Sequence, residues 1–156
     1  MPGSAGESLR MTLAAISADS PPAPAARLHA LGWATVELDR AERELTADLG
    51  LTGTAFKVAP DSGVLGARCR VATETFPGGV ALVILEPATE GRLSAALARH
   101  GEAPLAAWFV LDGATEGVRP PSTASGPFGP ERIAPDGSIN GLRRFLVDLG
   151  AGTIRA

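Results

Sequence analysis

The sequence predicts one α+β domain built on a mostly antiparallel sheet, and three observations carry that prediction. The chain has 156 residues, 45% hydrophobic and 20% charged, which suits a single domain with a core of its own. Apolar residues alternate with period two in several short runs and recur with helical period in a few others. The turns between neighbouring strand runs are too short for parallel crossovers, so hairpins dominate.

Residues 1–26 form a separate front end. Ser4 and Glu7 have the spacing of a capping box, and Leu9, Leu13 and Ile16 make a short apolar helical stripe. Pro21, Pro22 and Pro24 then give a stiff linker. The segment is expected as a flexible leader, with a docked helix as the alternative. The ordered domain spans 27–156. Leu31, Trp33 and Thr35 alternate with Ala30, Gly32 and Ala34, a strand whose second face carries almost no side chain. Asp39 and Glu42 supply a capping box for a helix whose apolar face is Ala41, Leu45 and Leu49 and whose end is Gly50.

Residues 55–58 read as a strand, followed by a turn around Pro60, Asp61 and Gly63 and a further strand over 67–76. Pro77-Gly78-Gly79 turns the chain into a strand over 80–85. Leu93, Ala96, Leu97 and His100 recur at helical spacing, with Gly101 closing the helix. Residues 105–111 read as a strand and 113–130 as a loop rich in Pro, Ser and Gly. Short strands follow over 131–134 and 143–149, joined through Pro135-Asp136-Gly137, and 153–155 fits a last one.

Several function classes are excluded at this level. A net charge of −3 without a basic stripe argues against nucleic acid as a partner. Cys69 is the one cysteine, so neither an intrachain disulfide nor a multi-cysteine metal site can form. The apolar run 80–85 is too short to span a bilayer, and residues 11–18, between Arg10 and Asp19, do not make a signal segment; a cytoplasmic protein with no membrane partner is expected. No Gly-rich phosphate motif follows a strand and opens a helix. The serines around 122–125 have no paired histidine, so a serine triad is not supported.

Three stretches, taken in order, resemble the vicinal oxygen chelate superfamily in its glyoxalase, methylmalonyl-CoA epimerase and bleomycin-resistance branches. They are Leu28-His29-Ala30-Leu31-Gly32-Trp33-Ala34-Thr35-Val36 with Leu38-Asp39-Arg40-Ala41, the run from Val80 ending Ile84-Leu85-Glu86-Pro87, and residues 92–111. The resemblance covers roughly residues 28–112. It implies paired βαβββ modules, about 27–87 and 104–156, joined by a linking helix at about 90–100 and curving around a cleft. The second module is degenerate, its helix replaced by the loop after Leu111.

The resemblance also implies where metal ligands would stand. The first-strand histidine falls on Ala30, the fourth-strand glutamate on Val83, the fifth-strand histidine on Ala106, and a last-strand ligand on Asp148. One carboxylate cannot replace three or four converging donors, so a cleft with no metal and no cofactor is expected. His29 is one residue from the first position, and regular strand alternation would turn it to the opposite face.

Small residues at the ligand positions that the resemblance implies leave space: Ala30, Val83 and Ala106, with Gly32 and Ala34, would make a roomy apolar pocket, and Trp108, which shares parity with Ala106, faces the cleft on that alignment and could stack on a flat ligand. Trp33 belongs under the helix. Arg68, Arg70 and Glu74 share a face of the third strand: turned inward, Glu74 is a base and the arginines hold an anionic oxygen; turned outward, they form a solvated salt-bridging face. Asp148 is an acid or base if it faces an apolar cleft and a surface residue if it lies on an edge. Glu86 is read as a cap near the linking region, His100 as a helix C-terminal cation, and Cys69 as a small buried hydrophobe.

The expected function is a metal- and cofactor-independent isomerase, cyclase or lyase acting on a small hydrophobic metabolite, in the manner of secondary-metabolite biosynthesis. Asp148 and Glu74 would be catalytic, and Ala30, Gly32, Arg70, Val83, Ala106 and Trp108 would bind substrate. The alternative is a homologue of the drug-resistance type that sequesters a hydrophobic compound without transforming it. A homodimer is expected in either case.

Overall fold

The computed structural model describes residues 4–18, 26–51, 56–76, 78–111, 124–134 and 142–147. Its strands keep the alternation of the sequence, so each contributes one set of side chains to either face of a single curved sheet. The elements are α1 (Ala5–Ser17), β1 (Ala26–Ala34), α2 (Leu38–Leu49), β2 (Lys57–Ser62), β3 (Ala67–Phe76), β4 (Val80–Pro87), α3 (Arg92–His100), β5 (Ala103–Leu111), β6 (Ala124–Gly126), β7 (Gly129–Ile133) and β8 (Arg143–Val147). The strand order is β2-β3-β4-β1-β5-β8-β7-β6. Each half therefore mirrors the other across the antiparallel β1–β5 pair, with β1–β4 and β5–β8 parallel inside their own module. The outer strands approach each other, and Gly63 N–H donates to Ser125 O at 2.9 Å, so the sheet nearly closes.

The convex face carries helices. Leu31, Trp33, Leu82, Ile84, Ala107, Phe109 and Leu146 pack under Leu38, Ala41 and Leu45 of α2 and Leu9 of α1. Gly50 ends α2 in the left-handed conformation, φ 68°, as its place after Leu49 predicts. Asp39 does not cap this helix. Leu38 N–H donates instead to Glu86 Oε2 at 3.2 Å, and Glu37 N–H to Thr35 Oγ1 at 3.1 Å. Glu86 is thus a cap, but for α2 across the sheet, and it also pairs with Arg68 at 2.9 Å.

Residues 5–17 depart from the flexible leader expected of the front end. Ser4 Oγ accepts from Glu7 N–H at 3.1 Å to start α1, and the stripe of Leu9, Leu13 and Ile16 lies on the convex core with Leu9 fully buried. The apolar stripe supplies enough burial to hold the helix against α2 and β5. The proline linker and residues 135–141 lie outside the described residues, as does the strand fitted to 153–155.

Two further expectations shift. Strand β2 runs through Pro60 to Ser62, with a register break between Ala59 and Ser62, because a proline without an N–H is tolerated at an irregular edge. Within the expected loop 113–130, residues 124–126 and 129–133 form the β6–β7 hairpin around Pro127 and Phe128, with Gly129 at φ 105°. Ala-Ser-Gly has no period-two signal, which is why the sequence does not announce β6. Among the described residues no helix is long and apolar enough to cross a membrane.

Candidate functional site

The concave face gathers Ala30, Ala34, Val83, Leu85, Ala106, Trp108, Val110, Phe145 and Val147, with α3 closing one side through Leu93 and Leu97. Five of the sequence-predicted residues, Ala30, Gly32, Val83, Ala106 and Trp108, therefore do meet on one surface. The space left by their short side chains is filled from within. Trp108 is fully buried and stacks on Phe145, ring centroids 5.5 Å apart and 15° between planes. A methyl group at Gly32 would come within 2.8 Å of the Trp108 ring and 2.9 Å of Leu85, so the indole lies directly over the glycine backbone. The roomy pocket expected here is a packed chamber in this conformation.

Against Trp108 in the chamber stands a carboxyl that sequence reasoning did not single out. Glu131, on β7, is fully buried. Trp108 Nε1–H donates to its Oε1 at 2.9 Å and the Ser62 hydroxyl donates to its Oε2 at 2.8 Å. Ser62 Oγ also accepts from Leu65 N–H at 3.3 Å, which fixes the hydroxyl at the end of β2. Gly126 of β6 lies against this carboxylate so closely that any Cβ there would overlap Oε1. Burial raises the pKa of Glu131 above the ordinary glutamate value, and the hydrogen bonds from Trp108 and Ser62 offset part of that rise. The neighbouring Cys69 thiol is pushed up to about 12, mainly by burial, and is inert as a nucleophile.

His29 also reaches this side, against the expectation from regular alternation. The β1–β5 register breaks between Leu28, paired with Phe109, and Ala30, paired with Trp108. The extra residue is His29: Leu28 stays on the convex core, while the imidazole packs edge-on against Phe128, centroids 4.7 Å apart. A β-bulge absorbs the residue, so Leu31 and Trp33 keep their places under α2. Phe128 in turn meets the Trp108 ring at 5.7 Å and 70°. Desolvation, with a smaller contribution from Arg27, lowers the pKa of His29 and favours the neutral ring.

Among the described residues the chamber offers no donor set that fits a metal ion. Three of the four ligand positions that the resemblance implies carry Ala30, Val83 and Ala106, hydrocarbon side chains with no donor atom, all fully buried, and the fourth, Asp148, lies outside the described residues. His29 meets a phenyl ring there, and among the described residues no group of three His, Cys, Asp or Glu side chains is placed to hold a metal.

Arg70 and Arg68 lie elsewhere. Arg70 is on the helix-bearing side, where it pairs with Glu42 at 2.6 Å and Asp39 at 2.9 Å and lines an open cavity of about 710 Å³ with Arg43 and Thr46. It is not brought together with Ala30 and Trp108, and Arg68 is tied to Glu86. Glu74 lies on β3, while Asp148 falls outside the described residues. The signal for Glu131 was its shared parity with Ile133 on a strand already expected; a charged residue between Pro130 and Arg132 reads as exposed, and that reading masks it.

No family model matches this sequence, and no curated protein does. Solved structures do match. A variant of Streptomyces coelicolor methylmalonyl-CoA epimerase, in complex with 2-nitronate-propionyl-CoA, superposes with a TM-score of 0.58 at 21% identity over 78% of this chain and 96% of that one. A methylmalonyl-CoA epimerase in complex with methylmalonyl-CoA and NH4+ gives 0.59 at 21% identity, over 81% and 96%. The epimerase from Mycobacterium tuberculosis gives 0.57 at 15% identity, over 78% and 87%. These superpositions take in most of the neighbours' length, and they bear out the order of strands and helices described above. The chain has the paired-module, glyoxalase-like fold of the vicinal oxygen chelate superfamily.

Proposed function

We propose that this protein is a metal- and cofactor-independent enzyme of the isomerase, cyclase or lyase type that moves a proton on a small, largely hydrophobic molecule, with Glu131 as the proton carrier. The observation that carries the reading is a single carboxyl, fully buried on the concave face and held by Trp108 and Ser62. Among the described residues Glu131 is the only acid so buried. A raised pKa brings such a group closer to neutrality, where it can both take and return a proton. Ser62 suits both states: its hydroxyl donates to the carboxylate, and by rotating it accepts from the carboxylic acid over the same 2.8 Å.

In the proposed step a C–H bond next to a carbonyl breaks, its proton passes to a Glu131 oxygen, and the electron pair moves onto the substrate's carbonyl oxygen as an enolate. The proton then returns to carbon, or a neighbouring leaving group departs. The apolar walls of Ala30, Val83, Ala106 and Phe145 favour an uncharged body on the substrate and exclude water. In this reading Glu131 takes the role that sequence reasoning assigned to Asp148 and Glu74. The epimerases that share the fold bind CoA thioesters in their solved complexes, so thioesters belong in the test set.

The test is hydrogen exchange in D2O over a panel of apolar ketones, esters and thioesters, read by mass spectrometry. Wild-type protein should introduce deuterium at carbon, Glu131→Gln should do so at least about a hundredfold more slowly, and a chelator should leave the rate unchanged. Equal rates for the two proteins, or loss of exchange with the chelator, would contradict the proposal.

A further inference from the structure

The β6–β7 hairpin is anchored by β7, which pairs with β8 at Glu131–Val147, Arg132–Leu146 and Ile133–Phe145, while β6 and the tip over 126–129 are attached lightly for an element that shuts the chamber. Its register is three pairs, Ala124 with Glu131, Ser125 with Pro130 and Gly126 with Gly129, and Pro130 has no N–H to give. Its seam to β2 includes the Gly63 N–H to Ser125 O bond and the Ser62–Glu131 contact. At its tip Phe128 is only partly buried, yet its ring lies edge-on to two others, His29 at 4.7 Å and Trp108 at 5.7 Å. A hairpin turn does not require an inward phenyl ring; Asn, Asp or Gly serve such a turn as well.

We infer that Phe128 occupies a ring-binding subsite of the chain itself, and that a planar apolar ligand ring takes its place between the His29 imidazole and the Trp108 indole when the tip of the hairpin lifts and β7 stays paired to β8. This rests on the reading of the concave chamber as the functional site, and it names the substrate class: a planar, unsaturated ring bearing a small polar group. The indole links the two parts of that ligand's site, since its ring lies 5.7 Å from the ring position and its Nε1–H holds Glu131. Lifting the tip also carries Gly126 away from the carboxylate that it covers. The neutral His29 ring offers one nitrogen as donor and one as acceptor to the polar group of the ligand.

Calorimetric titration with 2-naphthol, alongside its saturated analogue decahydro-2-naphthol, tests the subsite on the full chain. Phe128→Ala should bind 2-naphthol at least tenfold more tightly than wild type, with less than a threefold gain for the saturated analogue. The imidazole signals of His29 should shift on binding while those of His100 stay in place. Phe128→Leu, which keeps an apolar side chain and loses the ring, should gain about threefold and decides the matter if the alanine variant does not fold. Equal affinity across the three proteins, or a gain that leaves the His29 signals unmoved, overturns the inference. Binding is read without turnover, so its failure is separate from any failure of Glu131 to exchange protons.

Discussion

The two faces of the sheet use the same alternating strands for different ends. On the convex face, Leu31, Trp33 and Leu146 meet α1 and α2 in an apolar layer, with partly exposed ion pairs such as Arg70 with Glu42 and Arg40 with Glu102 at its margin and the buried Arg144 guanidinium 5.4 Å from the centre of the Phe109 ring. On the concave face the layer is equally apolar, but a carboxyl is sunk in it beneath Gly126. Burying a glutamate costs several kcal/mol in the absence of partners, and replacing it with an apolar side chain would pack as well. Both faces therefore bury an ionisable group, but the convex one is a guanidinium, which keeps its proton, and the concave one is a carboxyl, which can exchange one. That group is where function is to be sought.

The largest effect that sharpens the contrast is on the convex side. Leu9→Ala should destabilise the fold by about 2–5 kcal/mol, because Leu9 is fully buried in the convex layer, and it should leave the concave chamber's proton chemistry unaltered. A chemical denaturation series measures the loss. An effect below about 0.5 kcal/mol, the range of surface substitutions, would mean that α1 is no part of the core.

Trp108→Phe should cost less, about 1–3 kcal/mol, by stranding Glu131 Oε1 without its indole donor while keeping a ring on Phe145. It should also act where Leu9→Ala does not: losing a donor to the charged form raises the Glu131 pKa further. If the variant leaves that titration unmoved, the Trp108–Glu131 bond does not set the carboxyl's chemistry and the two faces differ less than described.

Much of this contrast was legible in the sequence, and the parts that were not share a cause. The family resemblance put Ala30, Val83 and Ala106 on one surface, and parity added Trp108 to it and set Trp33 under α2, since a slip of one residue would expose a whole apolar set. What parity cannot register is a change in its own count. The bulge at His29 brings the imidazole to the concave side without moving Leu31, and nothing in Leu28-His29-Ala30 marks the break. Nor does alternation reveal how much of the space beside small residues a neighbour fills. Ala30 and Gly32 read as an empty pocket because the Trp108 indole that covers Gly32 comes from a strand 76 residues further on. Glu131 was hidden by composition, and its partners Ser62 and Trp108 lie 69 and 23 residues away, a separation that only the closing of the sheet removes.

The smallest expected effect concerns pH, and it bears most directly on the central claim that the concave carboxyl is held ready to carry a proton. Because its folded pKa lies above its unfolded value, the stability Glu131 contributes is full below the unfolded value and is lost as pH rises through the folded one. Glu131→Gln should therefore flatten the fall of thermal stability with pH across that window. The decisive measurement is the titration of the Glu131 side-chain carbon by NMR in the wild-type protein. A midpoint above that of an ordinary glutamate is what the buried, twice hydrogen-bonded carboxyl predicts. A midpoint at or below the ordinary value would show a fixed structural anion on the concave face and would contradict the account.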